Sequence, residues 1–170
     1  EKKKIRILLL SANNNYKELL RQVKVFNVRN IIITNKTSFQ IVKKILKNKK
    51  VKIFNDFSSF EKILNVKKVD YTMSAISGLE GLKPTLDIIK FTKNIAIANK
   101  ESIICGWPLI LKNLQKYKSN FIPVDSEHFS ILSLIDGDNS GIEKIFITAS
   151  GGPFNKYPLN KFKSITPKLA

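Results

Sequence analysis

Three short stretches of the sequence carry side chains that could do chemistry, and each follows an apolar run. The first is residues 98–102, where Asn99, Lys100 and Glu101 place an amide, an ammonium and a carboxylate side by side. This arrangement could direct a lysine at an anionic substrate. It is equally typical of a helix start, with Asn99 as the N-cap and Glu101 favoured by the helix dipole.

The second stretch contains two carboxylates separated by one serine, Asp125-Ser126-Glu127. Hard divalent cations such as Mg²⁺ and Mn²⁺ prefer oxygen ligands of this kind. The same residues could instead start a helix, with Asp125 or Ser126 as the N-cap and Glu127 as an acid in the first turn. The neighbouring His128 is the only histidine, and without cysteine partners it cannot complete a zinc site.

The third stretch, residues 148–154, contains Ser150-Gly151-Gly152. Paired glycines let consecutive backbone N–H groups converge on an anion, and the Ser150 hydroxyl would add a donor to a phosphate. The alternative is that Gly-Gly-Pro simply lets the chain leave a strand. Taken together, a lysine, an acid pair and a serine-glycine turn suit a phosphorylated substrate that chelates a metal.

A predicted parallel sheet with flanking helices positions these stretches. Short runs rich in Ile, Val and Phe alternate with segments of helical period, a pattern typical of βαβ units and of the α/β class. Ligands bind such sheets beyond the carboxyl ends of the strands, where all three stretches fall. The seven predicted strands are Ile5–Leu10, Asn30–Thr34, Val51–Phe54, Tyr71–Ile76, Asn94–Ala98, Asn120–Val124 and Lys144–Ala149.

The composition excludes several classes of protein. The chain has 170 residues, of which 43% are hydrophobic, so it can bury a core of ordinary size despite a formal net charge of +17. Only three of its thirty basic residues are arginines, which indicates a solvated lysine surface rather than a nucleic-acid reader. The single cysteine, Cys105, and the lack of a long apolar run favour an intracellular protein without a disulfide or a membrane segment.

The glycines are unevenly distributed, since all seven lie at or beyond Gly78. A dinucleotide-binding fold needs glycines at its first strand-to-helix turn. Either the predicted sheet binds no dinucleotide, or the strand and turn that hold the pyrophosphate lie before Glu1. Because the first residue is not methionine and the only methionine is Met73, we expect the chain to be a fragment, which favours the second alternative.

The three stretches become specific when their order and spacing are considered together. The strings ANKES at 98–102, VDSEH at 124–128 and ASGGPF at 149–154 resemble the 1-deoxy-D-xylulose-5-phosphate reductoisomerase family. The string GLEGLKPTL at 78–86 is similar to the helix that precedes them in that family. The resemblance runs from about Arg6 to Pro167.

This resemblance implies an enzyme that uses NADPH and Mn²⁺ or Mg²⁺ to rearrange and reduce 1-deoxy-D-xylulose 5-phosphate. The product is 2-C-methyl-D-erythritol 4-phosphate, in non-mevalonate isoprenoid synthesis. The resemblance implies that Asp125 and Glu127 bind the metal. Lys100 and Glu127 would be catalytic, and the implied substrate contacts are Lys100, Ser126, Glu127 and Ser150, with Ser150 at the phosphate. The implied cofactor contacts are Asn13, Asn14 and Asn15, together with Asn99 and Glu101 on the nicotinamide side.

The resemblance also implies a domain organisation and a set of partners. Residues 1–124 would form a Rossmann-like NADPH-binding domain that lacks its first strand and glycine-rich turn, and residues 125–170 would begin an α/β catalytic domain. The full-length enzyme would bind a small phosphorylated sugar, form a homodimer, and bind neither nucleic acid nor a membrane. It would be located in the bacterial cytoplasm or in a plastid-type organelle.

Two departures from the family pattern bear on these expectations. Asn14 stands where the family commonly has a lysine or arginine near the adenosine 2′-phosphate, although Lys17 could supply the charge. The chain also ends before the family's active-site flap, third acidic metal ligand, remaining phosphate-binding residues and C-terminal helical domain. We therefore expect the fragment alone to be inactive.

Two other functions remain open at this level. A different dinucleotide-dependent dehydrogenase would be expected to lack the acid pair beside Ser126. A non-catalytic basic α/β module that binds nucleic acid or an acidic partner would concentrate its lysines on one face.

Overall fold

A computed structural model of the chain describes residues 5–64, 68–124, 126–135, 141–146, 154–166 and 168–169, with only the backbone described at 126 and 127. The contacts divide the chain into two compact units, residues 1–124 and residues 125–170. Each unit is described by itself.

The first unit alternates strands and helices along its described length. Its strands are β1 (Leu9–Ala12), β2 (Asn30–Ile33), β3 (Lys52–Phe54), β4 (Val69–Ser74), β5 (Thr92–Ile97) and β6 (Asn120–Pro123). Its helices are α1 (Tyr16–Phe26), α2 (Lys36–Ile45), α3 (Phe60–Leu64), α4 (Leu82–Ile89) and α5 (Lys100–Tyr117), with 3₁₀ turns at Phe57–Ser59 and Leu79–Gly81. In the described residues of this unit, no helix is long and apolar enough to cross a membrane, and the same holds for those of the second unit.

All the described strand pairs are parallel, which confirms the predicted α/β class with flanking helices. The hydrogen-bonded ladders form two three-stranded sheets, β1-β2-β3 and β4-β5-β6, rather than the single sheet that the sequence predicted. The carboxyl ends of the strands are level in the second sheet, and in the first sheet β3 ends one residue short of β1 and β2. Ala12 pairs with Ile33 at the end of the first ladder, and Ser74, Ile97 and Pro123 are in register at the end of the second.

The prediction for the first strand was wrong at its amino end. The sequence predicted a strand over Ile5–Leu10, but residues 5–8 are irregular and Ile5 is 80% exposed. The partner strand explains the difference, because β2 begins at Asn30, which pairs with Leu9. Residues 5–8 therefore extend past the amino end of β2 and have no ladder to join, apart from the Asn30 side chain, which donates to the carbonyl of Leu8.

The core lies on both faces of the first sheet. Ile31, Ile32 and Ile33 of β2 are completely buried, as expected for a strand covered on both sides. Because side chains alternate along a strand, Ile31 and Ile33 pack with Leu19 of α1 and Val42 of α2. Ile32 points the other way and joins the cluster built from the second sheet and its helices α3, α4 and α5.

The second unit contains one helix, α6 (Ser126–Ile135), and a 3₁₀ helix (Leu159–Ser164) in its described residues. The seventh predicted strand, Lys144–Ala149, is not observed in its first half, because residues 144–146 are irregular and exposed. Residues 147–149 lie outside the described residues.

Candidate functional site

Three helices of the first unit begin at the carboxyl edge of a sheet, and each begins with an asparagine N-cap. The side-chain oxygens of Asn15, Asn35 and Asn99 accept hydrogen bonds from backbone N–H groups in the first turns of α1, α2 and α5. Such caps satisfy donors that a helix start leaves without partners. The first turns therefore lie at the sheet edge where α/β proteins bind their ligands.

The stretch Asn99-Lys100-Glu101 lies directly after β5, as the sequence predicted. Lys100 is the first residue of α5, Glu101 lies in its first turn, and both are exposed. The helix-start interpretation of this stretch is therefore observed. It does not compete with a role in binding, because the cap leaves the ammonium and the carboxylate at the edge of the sheet rather than in the core.

Asn99 differs from the other two N-cap residues, Asn15 and Asn35, because it is almost completely buried, with 4% of its surface exposed. Its Oδ1 accepts a hydrogen bond from Ser102 N at 2.8 Å. Its Nδ2 donates to the carbonyl oxygen of Ile76 and, at 2.7 Å, to that of Gly78. Both amide protons are therefore used within the protein, and the side chain connects the start of α5 to the loop after β4.

The predicted metal ligands lie at the boundary of what the structure describes. Asp125 lies outside the described residues, and so do the side chains of Ser126 and Glu127, although their backbone forms the first turn of α6. A shared cation at this pair stays a prediction. The donor set fits Mg²⁺ or Mn²⁺, since it offers carboxylate and hydroxyl oxygens and no soft ligand. Among the described side chains, no cluster of three His, Cys, Asp or Glu residues forms an alternative metal site.

The predicted phosphate-binding turn also lies outside the described residues, because Ser150, Gly151 and Gly152 are all excluded. Its convergence with Lys100 on one ligand therefore stays a prediction. The described residue that follows it is Phe154, which packs edge-to-face with Tyr157.

The predicted adenosine-binding turn, Asn13-Asn14-Asn15, lies at the carboxyl end of β1 and is exposed. Hydrogen bonds join it to the end of β2. The Thr34 hydroxyl donates to Asn13 Oδ1 at 3.1 Å, Asn35 N donates to Asn13 O at 3.1 Å, and the Ser38 hydroxyl donates to Asn14 O at 3.2 Å. These bonds leave Asn14 on a fixed turn beside the start of α2.

The acid nearest to this turn is paired with side chains of its own helix. Glu18 is the acid in the first turn of α1, but Arg21 donates to it from Nε at 2.8 Å and from Nη2 at 2.6 Å, and Gln22 donates to it at 2.9 Å. These hydrogen bonds, that from Arg21 first, lower the pKa of the Glu18 carboxyl from 4.5 to about 2. The neighbouring side chains on the helix therefore bind the Glu18 carboxylate, whereas Lys17 beside it is exposed.

Sequence reasoning missed two features that the structure brings to these edges. Lys36 is the first residue of α2, next to the Asn35 cap, and so lies at the same edge as Asn14. Its signal was available, because it directly follows a predicted strand and an asparagine. The second feature is the pair Gly78 and Gly81, which line the loop bound by Asn99. The sequence indicated these two glycines only through the string at 78–86 that is similar to the family, and not through a contact with Asn99.

Two open clefts, of about 410 and 430 Å³, lie at the opposite edge, around the amino ends of β1, β2 and β3. Arg29 and Asn30 line both of them, and Arg6 and Lys52 each line one. None of the residues predicted for catalysis or binding lines either cleft. The chemistry predicted at the carboxyl edge is therefore not associated with these clefts.

The strand order and the polar first turns define a parallel α/β protein whose helix starts at the carboxyl edge carry polar side chains. A family model described as 1-deoxy-D-xylulose 5-phosphate reductoisomerase matches residues 1–106, and one described as the C-terminal domain of the same enzyme matches residues 121–170. The chain belongs to the 1-deoxy-D-xylulose 5-phosphate reductoisomerase family, which confirms the resemblance.

Similar proteins carry the same description. A 1-deoxy-D-xylulose 5-phosphate reductoisomerase of Pelagibacter ubique is 62% identical over 172 residues, which cover 100% of this chain and 44% of the relative. The Zymomonas mobilis enzyme, solved in complex with NADPH, matches with a TM-score of 0.67 and 30% identity over 75% of this chain and 34% of that one. A reductoisomerase in complex with NADPH, fosmidomycin and magnesium matches with a TM-score of 0.73 and 25% identity over 99% of this chain and 44% of that one. The chain thus spans less than half the length of these proteins.

Proposed function

We propose that this chain is part of an enzyme that converts 1-deoxy-D-xylulose 5-phosphate to 2-C-methyl-D-erythritol 4-phosphate with NADPH and a divalent metal. The observation that carries the proposal is the exposed pair Lys100 and Glu101 on a capped helix start at the carboxyl edge, in a chain matched by two models of this family. The alternative of a different dinucleotide-dependent dehydrogenase, or of a basic binding module, is not favoured by that family membership.

The residues proposed for the reaction divide by chemistry. Lys100 would bind the substrate oxygens and stabilise negative charge that develops on them during the rearrangement. Asp125 and Glu127 would hold Mg²⁺ or Mn²⁺, with Ser126 and Glu127 also contacting substrate. Ser150 would donate to the substrate phosphate. When bound, the metal would polarise vicinal substrate oxygens and NADPH would supply the hydride.

The cofactor would lie along the carboxyl edge of the first unit. Asn13, Asn14 and Asn15 would approach the adenosine end, and Asn99 and Glu101 would approach the nicotinamide end. Because Asn14 is neutral, the ammonium groups of Lys17 and Lys36, which lie in the first turns of the two adjoining helices, would pair with the 2′-phosphate. The NADPH complex of the Zymomonas mobilis relative supports this choice of cofactor.

We also propose the division of labour between the units. Residues 1–124 would be the cofactor-binding domain, and residues 125–170 would begin the catalytic domain. The parallel strands and flanking helices of residues 1–124 support a cofactor-binding role for this unit, because dinucleotides bind at the carboxyl edge of such sheets.

The remaining proposals concern partners and location. The whole enzyme would act on a small phosphorylated sugar as a homodimer, without binding nucleic acid or a membrane. Its similarity to a Pelagibacter protein favours the bacterial cytoplasm over a plastid-type organelle.

The proposal is tested by following NADPH oxidation by the whole protein that contains this chain. We expect oxidation that requires both 1-deoxy-D-xylulose 5-phosphate and Mn²⁺ or Mg²⁺, and that stops when the metal is removed with a chelator. Oxidation that is indifferent to the metal would favour the alternative dehydrogenase. No oxidation by the purified, folded protein with all components present would reject the enzyme.

A further inference from the structure

We propose that Asn99 is a positioning residue, which fixes Lys100 and Glu101 at the sheet edge by binding the start of α5 to residues 76–78 across Gly81. The inference rests on the proposed function for its catalytic consequence. The connection itself rests on contacts within the first unit.

The Asn99 side chain uses both its oxygen and its nitrogen in hydrogen bonds within the protein. Oδ1 accepts from Ser102 N, and Nδ2 donates to the carbonyl oxygens of Ile76 and Gly78. An amide has two N–H donors, and both are used here. Asn99 therefore acts on a ligand through the residues that it holds, rather than by donating to the ligand itself.

Gly81 leaves the space that the Asn99 side chain needs. Gly81 is buried, and a Cβ at its position would overlap both Asn99 Nδ2 and the carbonyl oxygen of Ile76. Gly78, the other residue bound by Asn99, has a φ of 76°, which is the left-handed region that favours glycine. The loop after β4 is thus shaped to receive the amide.

The loop after β4, which the Asn99 side chain binds, is itself anchored in the core. The Thr85 hydroxyl, which is completely buried, donates to the carbonyl oxygen of Gly81 at 2.7 Å. It also shares a 2.6 Å hydrogen bond with the Ser74 hydroxyl at the end of β4. Ala98 N donates to Ser74 O at 2.9 Å. The loop, the end of β4 and the residue before Asn99 are therefore connected by hydrogen bonds, of which the two made by Thr85 are buried.

A cap alone would not need this arrangement. Serine caps helices about as well as asparagine, so helix stability by itself does not require the Asn99 amide protons. Their use on Ile76 and Gly78 fixes where α5 starts relative to β4. Because Lys100 is the next residue, the direction of its backbone follows from the same bonds.

The test uses hydrogen exchange of the full chain and compares Asn99→Ser with Ser102→Ala. Asn99→Ser keeps a capping oxygen but removes both donors, so amides at 76–81 and 100–103 should exchange at least about tenfold faster. Ser102→Ala removes a buried hydroxyl that has no hydrogen-bond partner among the described residues, so exchange in both segments should change less than about twofold. Gly81→Ala should reproduce the effect of Asn99→Ser, whereas Gly141→Ala, which meets open space, should not.

Kinetics of the whole enzyme then separate positioning from direct binding. Asn99→Ser and Gly81→Ala should each lower kcat at least about tenfold, and the double variant should lower it little further, because both break one connection. Faster exchange confined to 100–103 in Asn99→Ser, or unchanged exchange in both segments, would overturn the proposal. So would a weaker NADPH affinity with unchanged exchange at 76–81, which would identify a direct ligand. If the whole protein had no reductoisomerase activity, the proposed function would fail, while the exchange comparison would still decide whether Asn99 fixes the start of α5.

Discussion

Ile97 of β5 lies level with Pro123 of β6 in the parallel ladder, and Ser74 of β4 lies level with Ile97 on its other side. The three strands therefore end at one height. The first turn of α5 follows Ile97 after two residues, so Lys100 is presented at the edge rather than along a face of the sheet.

Lys100 is expected to be the most sensitive basic residue of the first unit. In the whole enzyme, Lys100→Ala should lower kcat/KM at least about 100-fold, because removing a group that stabilises developing charge typically costs a factor of this size. Steady-state kinetics measure the effect. Lys112→Ala, at an exposed position of the same helix, is the matched control and should stay within about twofold. Unchanged constants in Lys100→Ala would leave only its role at the helix start.

Asp125 is expected to control metal dependence without controlling the fold. Removing a residue that hydrogen-bonds to a metal ligand typically lowers metal affinity about 10–100-fold. Asp125 would be a ligand itself, so Asp125→Asn should lower the metal affinity at least as much. A Mn²⁺ titration of activity measures this, and urea unfolding should give an unchanged midpoint. Asp87→Asn removes an exposed carboxylate that pairs with Lys83 and should leave the titration unaltered. An identical Mn²⁺ titration in Asp125→Asn would remove this residue from the metal site.

The Glu18 carboxyl should titrate far below its usual range. We expect a pKa of about 2 by NMR, moving toward 4.5 in Arg21→Gln, because Arg21 provides the main hydrogen bonds. A lowered pKa contributes stability that is present above pH 4.5 and is lost as the pH falls toward about 2. Since the group is exposed, this contribution is small. A pKa near 4.5 in the unaltered chain would contradict the bidentate pairing.

The stability of the first unit should depend on the buried side chains of β5 far more than on the outer face of α5. Ile95 is completely buried, and Ile95→Ala should lower the free energy of unfolding by about 2–5 kcal/mol. Ile104 is 79% exposed, and Ile104→Ala should change it by no more than about 0.5 kcal/mol. Urea unfolding measures both. Equal effects would mean that the two positions are not buried as the structure has them.

The alternation of strands and helices could be predicted from the sequence because it depends on local periodicity. The apolar runs at 30–34 and 51–54 and the helices after them follow from side-chain spacing alone. Ile5–Leu8 was wrongly included in a strand, because strand formation also requires a partner, and β2 is too short to provide one there. The division into two sheets depends on long-range pairing, which local patterns do not contain.

The candidate site could be predicted only in part for a similar reason. Asn99, Lys100 and Glu101 were found because they directly follow a strand. The contact between Asn99 and Gly81 joins residues from different elements, and its only trace in the sequence is a glycine without an obvious local purpose. The role of Asn99 toward the loop at 76–78 therefore had no local signal.

The proposed enzyme rearranges the carbon skeleton of its substrate as well as reducing it. The most direct measurement is NMR of the product formed by the whole protein from 1-deoxy-D-xylulose 5-phosphate, NADPH and Mn²⁺. We predict the branched product, 2-C-methyl-D-erythritol 4-phosphate, formed in step with NADPH oxidation. An unbranched sugar alcohol phosphate formed at the same rate would contradict the account, because it would identify a simple dehydrogenase.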